Sequence, residues 1–157
     1  MTPAEFDKNY PSIFAWIRGT LNSHPAQART VASLGFQRLP QYFTPDLLAT
    51  SKVVYVASVP IPPLSAMGLK QFSDFENMNA DGVTYLDTFF SRHEARGNES
   101  LHFHELVHVL QWQVFGPRFF VAAYADGLER LVYRQSPLEI MAYTLKAFLG
   151  IARRHLT

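Results

Sequence analysis

Leu101-His102-Phe103-His104-Glu105-Leu106-Val107-His108-Val109-Leu110-Gln111-Trp112 is the stretch around which the rest of the chain is read. It has no Pro or Gly, and Gly116-Pro117 follows it, so the pattern predicts a helix over Glu99–Phe115. Phe103, Val107, Leu110 and Val114 recur at helical spacing and are expected to face the core. His104, Glu105, His108, Gln111 and Trp112 fall on another face, predicted to line a cleft. Two histidines four apart lie one turn apart, so both imidazoles can reach one metal ion. Glu105 projects beside them, where it can take a proton from a water that the metal activates. Zinc is the expected ion, since it accepts neutral imidazole and carboxylate in tetrahedral geometry. A chance HExxH in a chain of this composition has an expectation of about 0.01. The competing reading is a pair of ordinary histidines on an ordinary helix.

Two more helices are predicted downstream, over residues 117–133 and from Ser136-Pro137 to residue 154. They contain the acids that can complete a metal site: Asp126, Glu129 and Glu139. Glu129 stands 21 residues after His108 but lies opposite the apolar stripe Phe120, Tyr124, Gly127, Leu128 and Leu131. It therefore reads as solvent-facing. Asp126 lies on a flank and is placed to pair with Arg130 at i+4. Glu139 is set among apolar residues, where an acid needs a partner. Ser136-Pro137-Leu138-Glu139 is also a good capping box, with Glu139 bonded to the Ser136 N–H. The residues alone leave ligand and cap both open. Arg153-Arg154-His155 reads as a solvated end that favours the helix dipole.

Upstream, residues 52–59 and 82–90 read as two strands, each rich in β-branched and aromatic residues. The first is stopped by Pro60, and the second follows the turn signal Asn79-Ala80-Asp81-Gly82. The N-terminal region reads as helical over residues 1–50. Thr2-Pro3-Ala4-Glu5 opens it as a capping box, and Pro11 is expected to split the first helix. A second helix is expected over residues 25–38 and a third over 45–49. These elements give an α+β class, mostly helical, with a small sheet. A single domain over residues 1–157 is expected, with strands over 52–90 and three helices carrying the site over 99–154.

Composition narrows the function. The chain of 157 residues has a net charge of +1 and no cysteine. Thiol nucleophiles, disulfides and thiolate metal sites are excluded, and any metal must be held by His, Asp, Glu or backbone oxygen. No single-sign field argues for nucleic acid or an anionic membrane as partner. The N-terminus lacks a basic segment leading into an apolar one, and no run has the roughly 18 apolar residues of a membrane span. A cytoplasmic protein is expected.

The segments 82–90, 101–112 and 136–143 resemble the gluzincin branch of zinc metallopeptidases. They look closer still to a family of small, uncharacterised bacterial zincin-like proteins. They are also similar to zincin-like domains associated with bacterial toxins and contractile injection systems. The resemblance covers about residues 52–150. It implies a zincin-like domain in which His104, His108 and Glu139 hold zinc and Glu105 is the general base. It also makes residues 82–90 the edge strand above the cleft, where an extended peptide adds by β-pairing. The gap of 31 residues from His108 to Glu139 is longer than in the best-known gluzincins, so an extra helix lies between. Tyr143 stands where the thermolysin-like group carries an Asp that supports a zinc histidine, which puts the support of that histidine in doubt.

The expected activity is zinc-dependent hydrolysis of a peptide or protein substrate. The alternative is a zincin-like module that binds metal and a protein partner with little turnover. Tyr143, Tyr133, Tyr124, His102 and His93 are candidates to stabilise the oxyanion, and Tyr143 is preferred because it lies one turn beyond Glu139.

Overall fold

The computed structural model describes the backbone of residues 1–155 and the side chains of residues 1–147. The expectation for Arg153-Arg154-His155 lies outside the described side chains. Helix α1 (Pro3–Asn22) opens with the expected capping box. The Thr2 hydroxyl accepts from the Glu5 N–H, and the Glu5 carboxylate accepts from the Thr2 N–H at 2.7 Å. Contrary to expectation, Pro11 does not split it. One missing donor is outweighed by the face carrying Ile13 and Ile17, both buried against the rest of the protein.

The expected helix over residues 25–38 does not form. A short strand, β1 (Arg29–Thr30), and a 3-10 turn (Val31–Leu34) take its place, and Gly35 closes them at φ +73°. Arg29 and Thr30 instead pair with the next strand, which helical periodicity cannot reveal. Helix α2 (Pro45–Thr50), capped by the Thr44 hydroxyl, leads into β2 (Lys52–Val56). The sequence also misjudges residues 82–90, which form a hairpin rather than one strand. Strand β3 (Gly82–Tyr85) turns at Leu86-Asp87 into β4 (Thr88–Arg92). Leu86 carries the turn at φ +58°, a conformation that sequence reasoning assigns to Gly or Asn.

The sheet order is β1-β2-β4-β3, with β2 and β4 parallel and the outer pairings antiparallel. Val53 pairs with Phe89 and Val54 with Phe90, so alternate residues serve opposite faces. Val53 and Phe89 pack with Phe103, Leu106 and Val109 of helix α4 (Glu99–Phe115). Val54 and Phe90 pack in a second cluster with Ile13, Ile17, Trp112 and Phe120.

Helix α4 is buried on almost every side from Leu101 to Val109. The expected core stripe is therefore shifted. Phe103 and Val107 are inside, but Leu110 is 37% exposed and Val114 is 75% exposed, while Leu106 and Val109 fill the core. Helices α5 (Pro117–Arg130) and α6 (Pro137–His155) complete the fold. A Cβ at Gly127 would lie 2.8 Å from the Ser136 Cβ, so only glycine lets α5 approach the start of α6 this closely. The architecture is the mostly helical α+β class expected from the sequence. Among the described residues no helix is long and apolar enough to cross a membrane.

Candidate metal centre

Helix α4 places His104 and His108 one turn apart, and α6 brings Glu139 to them from 31 residues away in sequence. All three are buried, with 3%, 4% and 1% exposure. His104 Nε2 lies 3.1 Å from His108 Nε2 and 3.1 Å from Glu139 Oε2, and His108 Nε2 lies 3.2 Å from Glu139 Oε1. Ligands at about 2.0–2.1 Å from a tetrahedral zinc are separated by about 3.3 Å. The two imidazole nitrogens are thus close to the spacing of neighbouring ligands on one ion, each with a different oxygen of Glu139 at a similar distance, and one ligand atom from each of the three residues lies within 4.8 Å of the others.

Their chemistry demands a cation between them. Two imidazole lone pairs and a carboxylate turned toward one point repel each other unless a proton or a metal ion lies there. Without a metal a proton fills the role. Burial alone would depress His108, but the Glu139 hydrogen bond, the charges of Glu139 and Glu105, and Gln111 raise its pKa to about 9. Burial alone would raise Glu139, but hydrogen bonds and charge from His104 and His108 hold its carboxyl well below the usual range.

Gln111, predicted only to line the cleft, has a sharper place. Its Oε1 accepts from His108 Nδ1 at 2.7 Å, and its Nε2 donates to the Leu138 carbonyl at 3.1 Å. Anchored to α6, Gln111 keeps the proton of neutral His108 on Nδ1 and leaves Nε2 free to bind a metal. The His108-x-x-Gln111 spacing on one helical face was the available signal. His104 lacks this support: its buried Nδ1 has no hydrogen-bond partner in the structure. The ring of Tyr143 lies 4.5 Å from the His104 ring but gives that nitrogen no hydrogen bond.

The carboxylate of Glu139 is not a helix cap. Both the N–H and the hydroxyl of Ser136 are turned to the Tyr133 carbonyl, while Tyr124 Oη donates to Glu139 Oε1 at 2.7 Å. The other acids point away. Asp126 is exposed and accepts from Arg130 Nε, and Glu129 is exposed and pairs with the amino group of Met1.

Glu105 is 3% exposed, and its Oε2 accepts from Thr84 Oγ1 at 2.7 Å. Burial raises its pKa, opposed by the two histidines and the Thr84 hydroxyl. Strand β3 runs close enough that a Cβ on Gly82 would lie 2.5 Å from Glu105 Oε1. Sequence reasoning passed over both Thr84 and Gly82, since their role depends on contact between strand and helix.

Strand β3 is the sheet edge, as the edge-strand reading requires, but only Gly82–Tyr85 lie on it. The Thr84 carbonyl accepts from Trp112 Nε1 at 3.1 Å, so the edge is engaged at that point. Among the oxyanion candidates, Tyr124 and Tyr133 line the cavity beside Glu105, His108 and Glu139, whereas Tyr143 covers His104 from another side. His93 is exposed. His102 is a satisfied core residue, with Nδ1 at 2.7 Å from the Asn98 carbonyl and Nε2 accepting from Tyr55 Oη at 2.8 Å. Comparison with protein-family models, curated proteins and solved structures finds no match to this chain.

Proposed function

We propose that the protein is a zinc-dependent metallopeptidase of the gluzincin type, with His104, His108 and Glu139 as ligands and Glu105 as general base. One observation carries the reading: two buried imidazole nitrogens and the buried Glu139 carboxylate converge, with contacts of 3.1–3.2 Å, beside a second buried carboxylate, Glu105, that lines the same cavity. Zinc held there would activate a water molecule and polarise a substrate carbonyl. The chain's own residues do the rest. Gln111 fixes the tautomer of His108. Thr84 holds one oxygen of Glu105, leaving the other to take a proton and pass it to the leaving amine. Tyr133 is the phenol in the cavity best placed to donate to an oxyanion, ahead of Tyr143, since the Tyr124 hydroxyl already donates to Glu139. The cytoplasm, the compartment expected from the sequence, belongs to the same reading.

The alternative, a metal-binding module that engages a protein partner without turnover, is favoured by the engaged Thr84 carbonyl on the strand edge. One experiment separates the two. Zinc-loaded protein is incubated with a peptide library beside Glu105→Gln. Gln keeps the shape of Glu105 but is no base, so the variant should retain zinc and lose about 10²–10⁴-fold in rate. Cleavage undiminished in Glu105→Gln refutes the mechanism. No cleavage by either protein favours the binding module.

A further inference from the structure

We infer that a second cavity, separate from the metal centre, binds a small amphipathic molecule with one anionic group, a carboxylate on an apolar body. The inference does not rest on the peptidase reading, because none of the three candidate ligands lines this cavity. It opens between the end of α1, the start of β2, the Leu86-Asp87 turn and the end of α4. Its volume of about 770 Å³ falls within the roughly 300–1,000 Å³ of small-molecule sites. Leu21, Ala28, Leu86, Trp112 and Pro117 give it an apolar lining for the body of the ligand. Among the described residues, Trp112 is the one that also lines the cavity beside the metal ligands.

Charge narrows the class of ligand. Two cations, Arg18 and Lys52, and one carboxylate, Asp87, line the cavity. Lys52 Nζ lies 3.5 Å from Asp87 Oδ2, so those two charges offset each other. Arg18 has no acid partner among the described residues, which leaves one positive charge unmatched. A guanidinium grips a carboxylate through two parallel hydrogen bonds, more strongly than it grips a neutral acceptor. The side-chain amides of Asn22 and Gln113 line the same cavity, have no partner of their own in the described structure, and can donate as well. The end of α1 offers little opposition to an anion, because the Gly19 and Thr20 carbonyls already accept from Ser23 and His24. A cationic ligand would face Arg18 across the cavity, and a dianion would find one unmatched charge for two.

The test titrates 2-naphthoate into the full chain by calorimetry, metal-free and zinc-loaded. It should bind at least about tenfold more tightly than 2-naphthamide, which has the same ring and no charge. Naphthalene-2,6-dicarboxylate should gain nothing over the monoanion, and 2-naphthylmethylammonium should bind no better than the amide. Arg18→Glu and Gln113→Glu put a negative charge on two different walls, and each should weaken 2-naphthoate by about tenfold or more. Both residues are exposed, so the fold tolerates either change. Lys8→Glu changes the net charge as much as Arg18→Glu, but outside the cavity, and should leave the affinity unchanged. Zinc should also leave it unchanged. The cavity beside the metal ligands measures about 100 Å³, too small for a naphthalene when benzene occupies about 150 Å³. Binding that zinc abolishes, or that survives both Arg18→Glu and Gln113→Glu, overturns the inference. Equal binding of 2-naphthoate and 2-naphthamide overturns it too, as does no binding of either at millimolar concentration.

Discussion

Replacing Gly82 by Ala adds a single methyl group at the point where β3 meets the candidate general base. Gly82 does not occupy the left-handed region, so Ala meets no backbone strain and the whole effect is steric. The new Cβ would lie 2.5 Å from Glu105 Oε1, 2.9 Å from Cδ and 3.2 Å from Cγ, against 3.4 Å for ordinary contact. Oε1 is thus about 0.9 Å too close. The carboxylate cannot swing away freely, because Oε2 is bonded to Thr84 and the residue is 3% exposed. Overpacking of this kind costs about 1–3 kcal/mol. In a domain of this size that lowers Tm by about 2–12 °C. Moving a catalytic group by about 1 Å costs on the order of 10²-fold in rate. Calorimetry on the zinc-free and zinc-loaded forms, zinc content and peptide hydrolysis should be measured together. Gly97→Ala is the control, since nothing lies within 4 Å of its Cβ. The expected result is lower Tm, unchanged zinc content and about 100-fold slower cleavage in Gly82→Ala alone. Parental Tm and parental cleavage would refute the claim that β3 presses on Glu105.

Other expectations concern the ligands. Gln111→Leu should weaken zinc affinity by about 10–100-fold in a chelator titration, because His108 loses the partner that sets its tautomer. Glu139→Gln should weaken it more than that, and parental affinity in Glu139→Gln would remove the carboxylate from the ligand set. The pH dependence should differ in sign between the two forms. His108 has its pKa raised to about 9, so its contribution to metal-free stability is complete below about 6.5 and lost as pH rises to 9. Zinc must displace that proton, so the stabilisation that zinc adds should grow over the same range. Thermal melts at fixed zinc from pH 6.5 to 9 check this, and a zinc increment independent of pH would contradict it.

Much of the candidate site was legible because it depends on local periodicity. The spacing of His104, Glu105 and His108 sets their common face whatever surrounds the helix. Glu139 was suggestive among apolar neighbours, but only packing of α6 on α4 decides between cap and cluster. What failed in the sequence reading depends on contacts distant in the chain. Arg29 and Thr30 become a strand by pairing with β2. The hairpin hinges on Leu86 at φ +58°, a residue with no turn signature. Leu110 and Val114 look like core positions, yet α4 is surrounded by the sheet and α6 and leaves those two outside. Gly82 and Thr84 gain their significance only from the approach of β3 to Glu105.

The central claim is that His104, His108 and Glu139 form one zinc site. Anomalous diffraction across the zinc edge, on crystals of protein supplied with zinc, tests it most directly. The account predicts one peak per chain, about 2.0–2.2 Å from His104 Nε2, His108 Nε2 and a Glu139 carboxylate oxygen. A map with no peak there, or a peak that excludes Glu139, would contradict it.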